Sequence, residues 1–344
     1  MKIGMHVVRG TEKDIGYFLS RNSRGNSEIT AVSINSEFFA DDFAIYTAEH
    51  EIVSLVVPLN SLNFDDTEEN EVEESDDDDT QSLKVFFTLA DRKENGDLDY
   101  KGLYILINGT ATKLLDNGRH AAADNEDNKI VYLAAQDGLY TYNAKDNKAE
   151  KFGTLTDSII SLAKVNGTDL LYILTDDHKV YRVTELGTKK ELVNEIPHAH
   201  AFVLDYSNNL YFYGDDKKPY VYTEGTVKKI EGLPENPTDV DLLKAPVFLE
   251  DGVPFVDGKK SYIIFANGSS EITNFELDVK PTAYAMEGTL IQYYAYNKKI
   301  YEYNILVLIF SELLSDLKEY LNEQKDAIQS IATRSRSDLT GLLV

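Results

Sequence analysis

The chain has no cysteine, no tryptophan and only three methionines among its 344 residues. Without cysteine it can form no disulfide, no zinc–thiolate centre and no thiol nucleophile. It also contains no HExxH signature, no GxSxG nucleophile elbow and no phosphate-binding glycine loop. The longest apolar run, ILVLIF at Ile305–Phe310, is too short to cross a bilayer. The usual sequence signatures of metalloproteases, serine hydrolases and nucleotide-binding proteins are therefore absent.

Basic residues are also scarce, with 34 Lys and Arg against 59 Asp and Glu, which gives a formal charge of −25. Nucleic acids and anionic membranes are bound by basic surfaces, so the composition argues against both as partners. Eleven of the fifteen residues in Asp65–Asp79 are acidic. This run predicts a disordered, solvated loop over residues 65–82. Loose calcium binding is the alternative, although nothing in the run fixes ligand geometry.

What the chain does have is a repeat in which an aromatic strand, a short polar turn and a second aromatic strand recur about every forty residues. The anchor aromatics are separated by 41, 45, 40, 39, 44 and 38 residues and are Tyr46, Phe87, Tyr132, Tyr172, Tyr211, Phe255 and Tyr293. A period in the forties built from strands is typical of a β-propeller. We therefore predict an all-β fold, a six- or seven-bladed β-propeller over residues 31–310. The WD40 and kelch classes are not indicated, because Trp-Asp pairs and Gly-Gly signatures are missing.

The two ends of the chain lack the repeat. Residues 1–30 are expected to form an N-terminal segment outside the propeller, and their beginning, MKIGMHVVRGTEKD, lacks the apolar core of a signal peptide. Residues 311–344 are expected to form an amphipathic α-helix, with Ser311 as N-cap and leucines on one stripe. This helix could pack on the propeller or mediate self-association.

Ligands of propellers usually bind at the mouth of the central channel, where the inner strand of each blade begins. The residues at these positions predict a polar, aromatic-ringed binding site and are Arg119, His120, Ser158, His198, His200, Asp239 and Tyr284. No catalytic residue, cofactor or metal is predicted. His198 and His200 offer two nitrogens but no evident third ligand. Asp91–Gly102 resembles an EF-hand loop only superficially, because Gly102 stands where a bidentate Glu belongs.

Three Asn-Gly turns carry the glycosylation sequon, at Asn108, Asn166 and Asn267. All three are expected at surface turns, where the side chains project into water, and together they favour a secreted glycoprotein. The alternative is that Asn-Gly followed by Ser or Thr is simply good hairpin chemistry.

The units GLYTYN, KVYRVTELG and NNLYFYGDD, with the Asn-Gly turns between them, resemble the lepidopteran ommochrome-binding proteins. The resemblance covers roughly Leu83–Asn304. It implies a secreted haemolymph protein, a non-enzymatic carrier of flat, tryptophan-derived pigments of the xanthommatin type that bear amino and carboxyl groups. On this hypothesis Arg119, His120 and His200 orient the polar groups of the pigment.

The chain departs from that family in its acidic insert, its C-terminal helix and its lack of an evident signal peptide. Two other functions stay open. One is a calcium-dependent hydrolase of the lactonase or gluconolactonase type, for which Asp205, Asp239 and Asp241 are the candidate ligands. The other is a propeller scaffold that recruits partners through its acidic loop and C-terminal helix.

Overall fold

The computed structural model describes residues 32–58, 83–124, 130–246, 249–286 and 291–304. Within these ranges the regular elements are 25 strands and two single-turn 3-10 helices, Ser36–Phe38 and Asp41–Phe43. The described residues contain no helix that is long and apolar enough to span a bilayer. The predicted N-terminal segment, the acidic loop and the C-terminal helix lie outside the described residues.

The strands form six sheets, which are the blades of a β-propeller. Two short strands come first, β1 (Val32–Ile34) and β2 (Ala44–Thr47). Blade 1 follows with β3 (Glu51–Val56), β4 (Lys84–Arg92), β5 (Leu98–Ile107) and β6 (Thr110–Leu115). Blade 2 contains β7 (Gly118–Ala123), β8 (Val131–Ala135), β9 (Gly138–Asn143) and β10 (Lys148–Phe152). Blade 3 contains β11 (Ile159–Lys164), β12 (Leu171–Thr175), β13 (Val180–Thr184) and β14 (Lys189–Leu192).

The second half of the ring repeats the pattern. Blade 4 contains β15 (Ala201–Leu204), β16 (Leu210–Tyr213), β17 (Pro219–Thr223) and β18 (Thr226–Lys229). Blade 5 contains β19 (Val240–Leu242), β20 (Val253–Asp257), β21 (Lys260–Ile264) and β22 (Ser270–Leu277). Blade 6 contains β23 (Ala283–Met286), β24 (Ile291–Tyr296) and β25 (Lys299–Asn304).

The ring is closed by the N-terminal strands, and this decides the number of blades. β2 pairs antiparallel with β25 and becomes the outer strand of blade 6, while β1 adds a parallel fifth strand beside β22 in blade 5. The first copy of the sequence repeat is therefore not a blade. Its anchor, Tyr46, lies on β2, whereas the second half of the same copy is β3 of blade 1. The propeller has six blades, and the seven-bladed alternative is wrong.

The other six anchors all lie on the second strand of their blade and are buried, with at most 8% of each residue exposed: Phe87, Tyr132, Tyr172, Tyr211, Phe255 and Tyr293. Five hydrophobic clusters are each shared by two neighbouring blades. In one of them Tyr293 and Ile300 of blade 6 pack against Ile52 of blade 1. Sheets of this kind bury their faces against each other, which explains why the aromatic anchors recur once per blade.

The chain divides into two compact units, Met1–Glu302 and Tyr303–Val344. The first unit carries strands β1 to β24 and most of β25. Of the second unit, the described residues are only the last two of β25.

Candidate binding site in the central channel

The inner strands of the six blades, β3, β7, β11, β15, β19 and β23, surround a cavity of about 820 Å³. Binding sites for small molecules usually enclose about 300–1,000 Å³. Five of the predicted site residues line this cavity, namely Arg119, His120, His200, Asp239 and Tyr284. Ser158 and His198 lie beside it without lining it. The side of the propeller on which the inner strands begin is called the mouth face below.

Arg119 is held at the mouth face by several contacts. Its Nη1 donates to Ser158 Oγ at 2.8 Å, and its guanidinium lies 5.1 Å from the ring centroid of Tyr100. Asp176 Oδ2 is 4.0 Å away. Such a cation–π contact favours a guanidinium that is partly withdrawn from water. Ser158 therefore positions Arg119 instead of lining the cavity itself.

His120 lies deep in the channel wall. Burial, together with the nearby charge of Lys244, lowers the pKa of His120 to about 4. The backbone N–H of Leu162 donates to His120 Nδ1 at 3.4 Å. At neutral pH the ring is therefore uncharged and carries its proton on Nε2. It can donate a hydrogen bond through Nε2, but it cannot neutralise an anion.

The acidic residues of the lining are already paired. Lys280 Nζ lies 2.6 Å from Asp241 Oδ2 and 3.1 Å from Asp239 Oδ1. Burial raises the pKa of Asp241. Asp205 accepts hydrogen bonds from Asn209 and from the hydroxyl of Tyr211. In the described part of the chain, no three carboxylates converge as a calcium site would require.

More cationic than anionic side chains line the cavity, whereas acidic residues outnumber basic ones in the chain as a whole. The five cationic residues of the lining are Arg92, Arg119, Lys164, Lys244 and Lys280, and its three anionic residues are Asp205, Asp239 and Asp241. The chain as a whole has a formal charge of −25. Carboxylates outside the lining also face two of these cations, because Asp124 pairs with Lys164 and Asp176 lies 4.0 Å from Arg119.

Four of these five cations have a partner. Lys164 forms an almost fully buried ion pair with Asp124 at 3.2 Å, and Arg92 donates to the Gly96 carbonyl at 3.4 Å. Lys244, which follows β19, differs from the others. No hydrogen bond or ion pair joins its ammonium to any other residue that the structure describes. Loss of hydration lowers the pKa of Lys244.

Four tyrosines complete the lining, namely Tyr100, Tyr206, Tyr213 and Tyr284. Burial raises the pKa of both Tyr206 and Tyr213 to about 12. Burial also raises the pKa of Tyr100 and of Tyr284. All four phenols stay protonated at neutral pH, so each offers a hydrogen-bond donor as well as an aromatic face.

Lys244 and three of these tyrosines were not predicted, because none of them stands at the start of an inner strand. The available signal for Lys244 was a single lysine within the apolar stretch VDLLKAPVF, residues 240–248. His178 was not predicted either, and it lies in a turn of blade 3 next to His198 and His200. Its position could not be read from the sequence, because the three rings come from two blades.

The three sequons differ in exposure. Asn108 and Asn267 lie on exposed turns, as predicted. Asn166 is half-buried, and its Nδ2 donates to the carbonyl of Tyr206 at 3.3 Å. A glycan is attached through this same nitrogen, so the expectation that all three side chains project into water is wrong for Asn166.

No protein-family model and no curated protein matches the chain. Among solved structures it is similar to one described as "Structure of U3-55K", with 10% identity over 75% of this chain and 97% of that chain and a TM-score of 0.46. It is also similar to "Crystal structure of RRP9 WD40 repeats", with 9% identity over 75% of this chain and 96% of that chain and a TM-score of 0.46. A third similar structure is "Structure of apo AztD from Citrobacter koseri", with 13% identity over 58% of this chain and 58% of that chain and a TM-score of 0.37. None reaches a TM-score of 0.5, so the six-bladed assignment rests on the strand order of this chain.

Proposed function

We propose that this protein is a non-enzymatic binding protein that holds a flat aromatic carboxylate in the central channel. The observation that carries the proposal is Lys244. Its ammonium lacks a protein partner among the described residues, although loss of hydration lowers its pKa. Lys244 is half-buried, and a cation that has lost part of its hydration is stabilised by a nearby anion. A ligand carboxylate is the natural compensation.

The rest of the lining supports an aromatic body for this ligand. The four tyrosines supply aromatic surface, of which Arg119 covers one face of Tyr100 and His200 one face of Tyr213. Their protonated hydroxyls can donate to carbonyl or carboxylate oxygens. His120 is neutral and can donate through Nε2. Asp239 lies at the mouth face and forms an ion pair with Lys280. Its carboxylate can also accept a hydrogen bond from an amino group of the ligand. Pigments of the ommochrome type, which the sequence resemblance suggests, combine a polycyclic body with amino and carboxyl groups.

The experiment is a visible-absorbance titration of the purified protein with xanthommatin, in its oxidised and reduced forms and in the presence of EDTA. Saturable spectral change with one pigment per chain is expected, because the cavity of about 820 Å³ lies within the usual size of a ligand site. Indifference to EDTA distinguishes this carrier from a calcium-dependent hydrolase.

Two controls sharpen the result. Indole, which has the aromatic body without a carboxylate, and acetate, which has the carboxylate without the body, should each compete weakly. If the protein leaves the xanthommatin spectrum unchanged at every ratio, the pigment assignment is wrong. If indole competes as well as an indole carboxylate of the same ring, Lys244 does not recognise an anion and the proposed chemistry is wrong.

A further inference from the structure

Three histidine side chains from two neighbouring blades meet at the mouth face. His178 lies in the turn between β12 and β13 of blade 3, whereas His198 and His200 directly precede β15 of blade 4. The ring centroids are 4.5 Å apart for His178 with each of the other two, and 5.2 Å apart for His198 with His200. One ring nitrogen from each residue lies within 4.8 Å of the others. No other group of three His, Asp or Glu residues in the described ranges has this convergence.

The cluster is held together by the backbone of both blades. The Ala199 N–H donates to the carbonyl of His178 at 3.0 Å, and His178 Nδ1 lies 3.0 Å from the Ala199 carbonyl. A carbonyl can only accept, so Nδ1 of His178 carries the proton and Nε2 keeps a free lone pair. His178 also adopts a left-handed conformation, with φ of 62°. Residues other than Gly seldom take this conformation, and His is among those that tolerate it best, as Asn and Asp do.

A carboxylate from the next turn joins the three rings. Asp215 lies between β16 and β17, and its Oδ1 is 2.7 Å from His200 Nε2 and 3.2 Å from His198 Nδ1. The hydrogen bond from His200 lowers the pKa of Asp215. His198 Nδ1 is buried but is not aligned for a hydrogen bond with any described residue. One carboxylate oxygen therefore faces two imidazoles and satisfies only one of them.

We infer that His178, His198 and His200 bind a divalent transition-metal ion of the Zn²⁺ type, with Asp215 as the fourth ligand. Imidazole nitrogens with one carboxylate are a donor set that Zn²⁺ accepts, whereas Ca²⁺ and Mg²⁺ prefer oxygen ligands throughout. Tetrahedral Zn–N bonds of about 2.0–2.1 Å place two nitrogens roughly 3.3 Å apart. The nitrogens must therefore draw together from their present separation of up to 4.8 Å. The ring of His200 is exposed and can rotate to do so.

An alternative is that the rings simply pack against one another around Asp215. Packing alone gives no reason for His178 to commit Nδ1 to a carbonyl, which leaves Nε2 as its one nitrogen with a lone pair. In known metal sites a backbone carbonyl or carboxylate often fixes the ligating histidine in the same way. The Ala199 carbonyl occupies that position here.

The test uses the full chain, dialysed against EDTA and then freed of it, titrated with ZnCl₂ by calorimetry and with Co²⁺ by visible spectroscopy. One ion per chain is expected, with the intense absorption typical of tetrahedral Co²⁺. The matched variants are His178→Asn and His50→Asn. Asn tolerates the left-handed turn, so His178→Asn removes the ligand and keeps the backbone. His50 pairs with Asp91 at 2.9 Å outside the cluster, so His50→Asn is the control.

His178→Asn should weaken Zn²⁺ binding by about 100-fold or more, since loss of a residue that merely supports a ligand already costs about 10–100-fold. His50→Asn should bind like the parent chain. The inference is overturned if the parent chain takes up no stoichiometric Zn²⁺, or if His178→Asn binds as tightly as His50→Asn. Pigment binding is measured in EDTA, so the failure of one proposal leaves the other to be judged separately.

Discussion

Replacement of Lys244 by methionine should weaken binding of an aromatic carboxylate and, at the same time, stabilise the free protein. Methionine has a similar length and keeps the apolar stem, but it removes the ammonium. In the free protein this ammonium has lost hydration without gaining a partner among the described residues. The same charge is what the proposed ligand would neutralise. The two effects should therefore have opposite signs in one variant.

The size of both effects follows from ordinary interaction energies. A hydrogen bond to a charged group contributes about 1.5–3 kcal/mol, so its loss should raise Kd by about 10- to 150-fold. Removing a poorly compensated internal charge should raise the free energy of unfolding by about 1 kcal/mol. For a domain of this size that corresponds to an increase in Tm of about 2 °C.

The assay compares Lys244→Met with two other lysine variants by thermal unfolding and by the xanthommatin titration. Lys280→Met removes a cavity lysine that neutralises Asp239 and Asp241, so it should lower Tm. Lys260→Met removes an exposed lysine and should change neither Tm nor affinity measurably. If Lys244→Met melts below the parent chain while its affinity is unchanged, the ammonium has a structural partner and the reasoning is refuted.

Two further predictions concern buried charge. The pKa of His120 in the folded protein is about 4, below the usual value of about 6.5, so the unfolded chain binds a proton that the folded chain does not. Stability should therefore fall as the pH is lowered from about 6.5 to about 4, by at most about 1.4 kcal/mol per pH unit, and urea unfolding of His120→Gln should lack this component. Asp124→Ala leaves the buried Lys164 without its carboxylate and should cost about 3–5 kcal/mol in urea unfolding. Lys164→Met added to Asp124→Ala should recover much of that loss, and equal stability of the single and double variants would contradict the argument.

The blades were predictable because each one carries its own local sequence pattern. A buried aromatic on the second strand of a blade packs against the neighbouring blade, so it must recur with the period of the repeat. Closure of the ring was not predictable in this way. The pairing of β2 with β25 joins residues about 250 positions apart, as with Tyr46 and Ile300. Locally, Tyr46 looks like any other anchor, and this is why the sequence suggested a seventh blade.

The candidate site was partly predictable for a related reason. The first residues of every inner strand approach the same axis, so Arg119, His200 and Asp239 could be assigned to one mouth without knowing any contact. The residues that hydrogen-bond or pair with these side chains could not be predicted from the sequence. Ser158 was expected to contact ligand, and the sequence did not predict that its hydroxyl accepts a hydrogen bond from Arg119. Lys244 comes after its strand and belongs to no repeated pattern, so only the three-dimensional arrangement reveals that its charge is unpaired among the described residues.

The contrast between the acidic chain and the lysines and arginines that line its channel limits what kind of ligand can bind. At physiological ionic strength a surface charge acts over about 8 Å, so the acidic exterior slows the approach of an anion without reaching far into the channel. Inside, a carboxylate gains from Lys244 only if the ligand excludes water from it, which acetate cannot do and a flat ring system can. An amino group on the same ligand is tolerated at the mouth face, where Asp239 and Asp241 share the single charge of Lys280. The channel should therefore prefer aromatic zwitterions over simple anions, and added salt should raise the association rate of an aromatic anion more than that of a zwitterion, which carries no net charge.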